Sequence, residues 1–130
     1  MKRLALQVLI VVGICGCSSV GGPISPRAGE QFRLKFGQTA LVAEGGLVIR
    51  FSDVREDSRC PVDVLCMWAG NAQIVLEVSH SDFVLNSTLE PREVSQLGYK
   101  IVLLGVDPDR KVDEEIELND YTATLMVTKE

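Results

Sequence analysis

The stretch Asn71-Ala-Gln-Ile-Val-Leu-Glu-Val-Ser79 decides the fold, because apolar side chains occupy every second position in it. Positions 72, 74, 76 and 78 are apolar, and the positions between them are polar except for Val75. A period of two is typical of a β-strand with one buried face. The same alternation recurs in residues 32–36, 47–52 and 121–128. The chain from Gln31 onward is therefore predicted to be all β.

The number of strands indicates the architecture. Turn-forming residues separate the alternating runs and leave seven or eight short antiparallel strands. The run from Tyr99 to Val106 is apolar on both faces, which predicts a central strand. Such strands bury their apolar faces in an antiparallel two-sheet sandwich of the immunoglobulin-like kind, and a small β-barrel is the alternative. Tyr121 is either a core residue or a corner tyrosine of such a sandwich.

Composition excludes several functional classes. The 130 residues allow one domain, and a hydrophobic fraction of 46% is too high for a disordered chain. A net charge of −5 argues against nucleic acid as a partner, because binding phosphates requires a basic face. A single histidine removes most histidine-based catalysis and most histidine-ligated metal sites. No metal or cofactor is expected.

The N-terminus has the layout of an export signal. Two basic residues precede an apolar run from Leu4 to Ile14, which is too short to span a bilayer. The sequence Ile14-Cys-Gly-Cys17 resembles the lipobox of bacterial lipoproteins. This resemblance implies cleavage after Gly16 and a lipid on Cys17. An ordinary secretory signal with an incidental cysteine is the alternative.

The resemblance also implies an organisation and a location. Residues 1–16 are then the signal peptide. The Gly-, Ser- and Pro-rich composition predicts that residues 17–29 form a flexible tether, and the alternating strands predict that residues 30–130 form one domain. Ser18, directly after the lipidated cysteine, implies the periplasmic face of the outer membrane if the host is Gram-negative. The membrane is then a partner through the N-terminal lipid.

Residues 55–70 contain the remaining cysteines, Cys60 and Cys66. Thiols oxidise outside the cytoplasm, so these two are predicted to form a disulfide. A zinc site lacks further ligands nearby, and a redox pair favours two intervening residues rather than five. A thiol nucleophile would need His80 as its base.

Three residues of this loop are candidates for binding a partner: Arg59, Asp63 and Trp68. Trp68 is expected to be mostly buried as a lid on the core, with an exposed anchor as the alternative. Arg59 is expected to be exposed at the loop tip and to make the contact with its acidic neighbours. It can instead pair with Asp57 or Asp63.

The loop carries a second resemblance. Ser58-Arg-Cys-Pro-x₄-Cys-x-Trp-Ala-Gly-Asn-Ala72, with Asp120-Tyr-x-Ala-x-Leu-x-Val127, resembles a group of small exported bacterial proteins of unassigned function. This likeness implies export and a β-rich body, and it brings no catalytic residues with it.

These observations favour a lipid-anchored, non-enzymatic binding module of the cell envelope that uses residues 55–70 to contact another envelope protein. A hydrolase inhibitor, a small carboxylate-dependent hydrolase and a purely structural lipoprotein are the alternatives. The acidic stretch 107–120 is expected to be a solvated loop, with a calcium site as the alternative.

Overall fold

The computed structural model describes residues 22–44 and 46–130, so the predicted signal peptide and the predicted lipid site at Cys17 lie outside the described residues. The described chain forms eight strands: β1 Gln31–Lys35, β2 Thr39–Val42, β3 Leu47–Asp57, β4 Ala72–Val78, β5 Ser81–Asn86, β6 Glu93–Gln96, β7 Tyr99–Asp107 and β8 Thr122–Lys129. A 3₁₀ turn at Leu118–Asp120 precedes β8. Within this part of the chain, no helix is long and apolar enough to cross a membrane.

The strands form two antiparallel sheets, one in the order β2-β3-β4-β5 and the other in the order β1-β8-β7-β6. The sheets do not close into a barrel, so the predicted sandwich is confirmed and the barrel alternative is wrong. The chain changes sheet between β1 and β2 and between β5 and β6, so one sheet takes four consecutive strands. Immunoglobulin domains distribute their strands differently, as sheets ABED and CFG. The protein therefore shares the two-sheet architecture of immunoglobulin domains but not their strand order. β7 lies between β8 and β6, as its apolar run predicts.

The core lies between the sheets because each strand points alternate side chains inward. In β4 the residues at positions 72, 74, 76 and 78 are fully buried, as the alternation predicts. The largest fully buried side chain is Phe51 of β3, which meets Phe36 edge-on at 5.5 Å between ring centroids. The hydrophobic effect of burying this continuous apolar layer stabilises the sandwich.

The first and last strands of the domain are neighbours. β1 pairs with β8 from Gln31 opposite Met126 to Lys35 opposite Thr122. The strands of the other sheet pair only with strands adjacent in sequence. β1 therefore pairs with a strand at the opposite end of the domain sequence.

The two ends of the sandwich differ. One end, which we call the loop end, is where β3 finishes at Asp57 and β4 starts at Ala72. The other end carries two tight hairpins, Ser79-His80 between β4 and β5 and Leu97-Gly98 between β6 and β7. Both central residues of each hairpin have positive φ, which is the geometry of a type I′ turn.

Part of the predicted tether is attached to the sandwich. Ile24 forms a parallel bridge with Ala40 of β2, through the bonds Ile24 N–Thr39 O (3.0 Å) and Leu41 N–Ile24 O (2.7 Å). Gly29 donates to the carbonyl of Val127 at 2.7 Å. Residues 22–29 thus run along the edge of one sheet and then join the other, while residues 17–21 lie outside the described residues.

Candidate functional site

Residues 58–71 connect β3 to β4 at the loop end, and we call them the disulfide loop. Its two stems are joined by backbone hydrogen bonds, Ser58 N–Asn71 O (2.8 Å) and Cys60 N–Ala69 O (3.0 Å). Cys60 and Cys66 form a disulfide with 5.9 Å between their Cα atoms, which confirms the predicted bridge. The thiol-nucleophile alternative is wrong, because both sulfurs are bonded and His80 lies in a hairpin at the opposite end.

Gly70 lets the two stems approach closely. Its φ is +68°, and a Cβ atom at this position would overlap the carbonyl oxygen of Ser58. Only glycine meets both conditions without strain. The Trp-Ala-Gly sequence after the disulfide therefore has a structural purpose: its glycine closes the base of the loop.

Arg59 anchors the loop to the sandwich. Its guanidinium forms a two-point ion pair with Asp57, with Nε–Oδ1 at 2.8 Å and Nη2–Oδ2 at 2.7 Å. It also donates to the carbonyls of Val106 (2.6 Å) and Pro108 (2.9 Å). Its side chain is only 14% exposed. The expectation that Arg59 is exposed at the loop tip is wrong, because four side-chain hydrogen bonds hold it inward, and the alternative pairing with Asp57 is the one observed.

Tyr121 completes this buried cluster. Its ring is 6% exposed, and its hydroxyl donates to Asp57 Oδ2 at 2.8 Å. Tyr121 is therefore a core residue and not a corner tyrosine, whose hydroxyl would bond to nearby backbone. Its burial, followed by the hydrogen bond to Asp57, raises the pKa of Tyr121 to about 12.

The charges of the cluster stabilise each other. Burial alone would raise the pKa of Asp57, but the hydrogen bonds from Arg59 and Tyr121 outweigh it and hold that pKa below its usual value. The hydrogen bonds to Asp57 raise the pKa of Arg59, although burial acts against this. Asp57 therefore stays ionised and paired at neutral pH, which leaves it unsuited to proton transfer.

A second polar cluster supports the other stem. Asn71 and Asn86 are buried, and the amide of Asn71 donates to Asn86 Oδ1 at 2.9 Å. Asn71 Oδ1 accepts from the backbone of Thr88 (3.1 Å), and Asn86 donates to the carbonyl of Pro91 (3.2 Å). Buried amides that find such partners hold neighbouring backbone in one arrangement. The disulfide loop is thus anchored on both sides.

The outer part of the loop exposes apolar side chains, and we call these five residues the apolar tip. They are exposed by 60% (Val62), 42% (Val64), 103% (Leu65), 96% (Met67) and 73% (Trp68). The prediction that Trp68 is a buried lid is wrong. The bridge and the paired stems hold its backbone beyond the sheets, where the ring cannot reach the core.

Asp63 joins the loop to the acidic segment, residues 107–120. Its Oδ1 accepts from the backbone of Val112 at 3.0 Å, and Val62 N donates to the carbonyl of Arg110 at 2.9 Å. Arg110 in turn donates to the carbonyl of Arg59 at 2.7 Å. Asp63 therefore orients two loops against each other.

A cleft of about 440 Å³ lies beside the tip. Trp68 and Leu89 form its apolar sides, and Glu56, Asn71 and Gln73 add polar groups. The amides of Asn71 and Gln73 already bond to Asn86, so their donors serve the fold.

Sequence reasoning singled out Trp68 and missed the other four residues of the tip. A signal was present: the period of two stops after β3, yet apolar residues continue inside a loop closed by cysteines. Apolar residues with no strand periodicity in a tight loop have no sheet face on which to be buried. In the described part of the chain, no group of three or more His, Cys, Asp or Glu residues is placed to hold a metal ion.

Comparisons with protein-family models, with curated proteins and with solved structures found no match to this chain.

Proposed function

We propose that this protein is a lipid-anchored, non-enzymatic binding module of the cell envelope, and that the apolar tip is its contact surface for another envelope component. The observation that carries the proposal is the exposure of five apolar side chains on one braced loop. Apolar groups clustered on a surface are typical of sites that another molecule covers.

The rigidity of the loop supports a binding role. The disulfide, the paired stems and the Arg59 cluster fix the backbone of the loop before any contact is made. A preorganised loop loses little conformational entropy on binding, so more of its contact energy appears as affinity. A purely structural protein has no need to present Leu65 and Met67 to solvent in this way.

The enzyme alternatives find less support at this end of the molecule. Asp57 is the carboxylate of the buried cluster, and its side chain is 9% exposed. It is already paired with Arg59 and Tyr121 and lacks a free face for a substrate. The hydrolase-inhibitor alternative uses the same tip, and it predicts a protein as the molecule contacted.

The contact surface is tested by photo-crosslinking in cells of the host. A photoreactive phenylalanine analogue replaces Leu65 in one variant of the full chain and Leu97 in a control variant. Leu97 is 62% exposed and lies in a hairpin at the opposite end. We expect a defined adduct, to lipid or protein, from position 65 and none from position 97. Equal adducts from both positions, or none from either, would contradict the proposal.

The anchor is tested separately. Labelling with a palmitate analogue should mark the natural chain and leave the Cys17→Ser variant unmarked, because the lipobox cysteine carries the lipid. Equal labelling of both chains would refute a lipid on Cys17.

A further inference from the structure

The apolar tip and the N-terminal segment point to the same end of the sandwich. Residue 24 bridges β2 in parallel, and β2 is antiparallel to β3. The step from Ile24 back to Gly22 therefore has the same direction as β3, which runs toward Asp57 at the loop end. Gly22 is held there, since its carbonyl accepts from Gln38 Nε2 at 3.0 Å. The described N-terminal segment therefore begins, at Gly22, on the side of Ile24 that is nearer the loop end.

The lengths of two segments are compatible with Cys17 and the tip reaching the same surface. Four residues lie between Cys17 and Gly22, so the five residue-to-residue steps from one to the other span at most about 18 Å when fully extended. Gln38, which donates to Gly22, lies beside Phe51 of β3, because the carbonyl oxygen of Gln38 accepts a hydrogen bond from Phe51 N. From there β3 continues for six residues to Asp57, about 15–20 Å after allowance for its two register shifts. The disulfide loop starts only at that point.

The exposed apolar side chains are unevenly distributed. Eight of the ten large apolar residues that the described chain exposes lie at the loop end, and the other two are Leu97 and Leu104. The eight comprise the apolar tip together with Leu89, Val112 and Leu118. An aromatic ring with a polar N–H, flanked by leucine and methionine, suits the boundary between headgroups and acyl chains.

We propose that the component covered by the apolar tip is the surface of the lipid bilayer in which Cys17 is anchored. This inference rests on the proposed function, including the lipid on Cys17, and adds the partner. A lipid on Cys17 holds Gly22 within about 18 Å of the bilayer. The apolar tip lies a similar distance from the level of Gly22, toward the loop end, and can therefore reach the same bilayer. The protein then makes two membrane contacts, a covalent lipid and an inserted loop.

The acidic segment limits which lipids suit this contact. Residues 107–120 contain seven Asp or Glu against one Arg and one Lys, a net charge of −5. Hydrogen bonds through Asp63 and Val62 hold this segment beside the tip. Anionic headgroups repel such a flank, so zwitterionic lipid is the favoured surface.

The chain carries its own reporter, because Trp68 is the only tryptophan. The mature, lipidated protein is reconstituted into phosphatidylcholine vesicles whose acyl chains carry bromine, and vesicles are separated from free protein by flotation. We expect Trp68 emission to move to shorter wavelength and to be quenched by the bromine. Partial replacement of phosphatidylcholine by phosphatidylglycerol should weaken both effects.

Two variants provide the matched comparison. Leu65→Ser with Met67→Ser removes the two most exposed side chains of the tip and should abolish most of the quenching. Leu97→Ser removes an exposed leucine from the opposite end and should leave it unchanged.

Each remaining outcome has a defined meaning. Protein that floats with the vesicles while Trp68 keeps its emission in water would overturn insertion, and it would leave the tip as a contact for an envelope protein. Protein that does not float would overturn the anchor and this inference together. Equal quenching with phosphatidylglycerol would refute the lipid preference.

Discussion

Replacing Arg59 by alanine should destabilise the fold far more than the position of this residue in a surface loop suggests. The change removes the partner of Asp57, whose side chain is 9% exposed, and frees the carbonyls of Val106 and Pro108. Breaking a buried ion pair from one side costs about 3–5 kcal/mol, because a charge is left without its partner. That loss is a large part of the stability of a small domain.

The deficit should depend on pH in a defined direction. In the natural protein the pKa of Asp57 is lowered, because the bonds from Arg59 and Tyr121 outweigh burial. Its stabilisation is therefore present above the unfolded pKa of about 4 and is lost as the pH falls through the folded value. Without Arg59, only the hydrogen bond from Tyr121 opposes the effect of burial, so the pKa of Asp57 should rise and the ionised carboxylate should destabilise the variant at neutral pH. The difference in free energy of unfolding between the natural protein and the Arg59→Ala variant should become smaller as the pH falls below about 5.

Guanidinium chloride unfolding of both proteins, at neutral and acidic pH, measures this gap. The control is Arg33→Ala, since Arg33 forms an exposed pair with Asp107 at 3.4 Å and its loss should cost less than about 0.5 kcal/mol. Adding Asp57→Asn to the Arg59→Ala variant should restore part of the stability by removing the unpaired charge. An Arg59→Ala midpoint equal to that of the control, or no narrowing at acidic pH, would show that the cluster does not anchor the loop.

Four further changes test the loop. Trp68→Ala should alter the free energy of unfolding by less than about 0.5 kcal/mol, because the ring lies outside the core; a loss of several kcal/mol would contradict this. Gly70→Ala should cost at least about 3 kcal/mol in chemical unfolding, since the Cβ meets backbone at positive φ. Tyr121→Phe should cost about 1.5–3 kcal/mol by the same assay, because the buried carboxylate loses a donor, and an unchanged midpoint would be inconsistent with that bond. Replacing Cys60 and Cys66 by serine should cost about 2.4 kcal/mol, measured against the oxidised chain, and a larger loss would mean that the bridge holds more than its loop.

The strands could be predicted from the sequence because a half-buried strand alternates apolar and polar residues. The alternation over 72–78 gives β4 with the correct buried face. The end of β5 at Asn86 has no comparable signal in the sequence. The buried amide of Asn86 bonds to the carbonyl of Pro91, and this turns the chain away from the sheet. Such a bond depends on three-dimensional neighbours and leaves no periodic trace.

The candidate site was less predictable because its contacts are distant in sequence. The pairing of Arg59 with Asp57 was one of two local options, but the hydroxyl of Tyr121 comes from 64 residues away. The carbonyls that receive Arg59 come from the end of β7 and the residue after it. A lone tryptophan is usually buried for its large area, and here the covalent loop geometry overrides that tendency for Trp68.

The pairing of β1 with β8 has a consequence for how the protein folds. The chain is synthesised, and in the proposed export also crosses the membrane, with its N-terminus first, so β1 is available long before the strand that it hydrogen-bonds to. The meander β2-β3-β4-β5 needs only local loop closures and can assemble early, whereas closing β1 onto β8 spans almost the whole domain. Until β8 is present, the backbone N–H and C=O groups of β1 that face it have no hydrogen-bonding partner, and Leu34 cannot be fully buried. We therefore expect the last ten residues to act as the latch of the domain, and truncation there to leave a four-stranded fragment prone to aggregation.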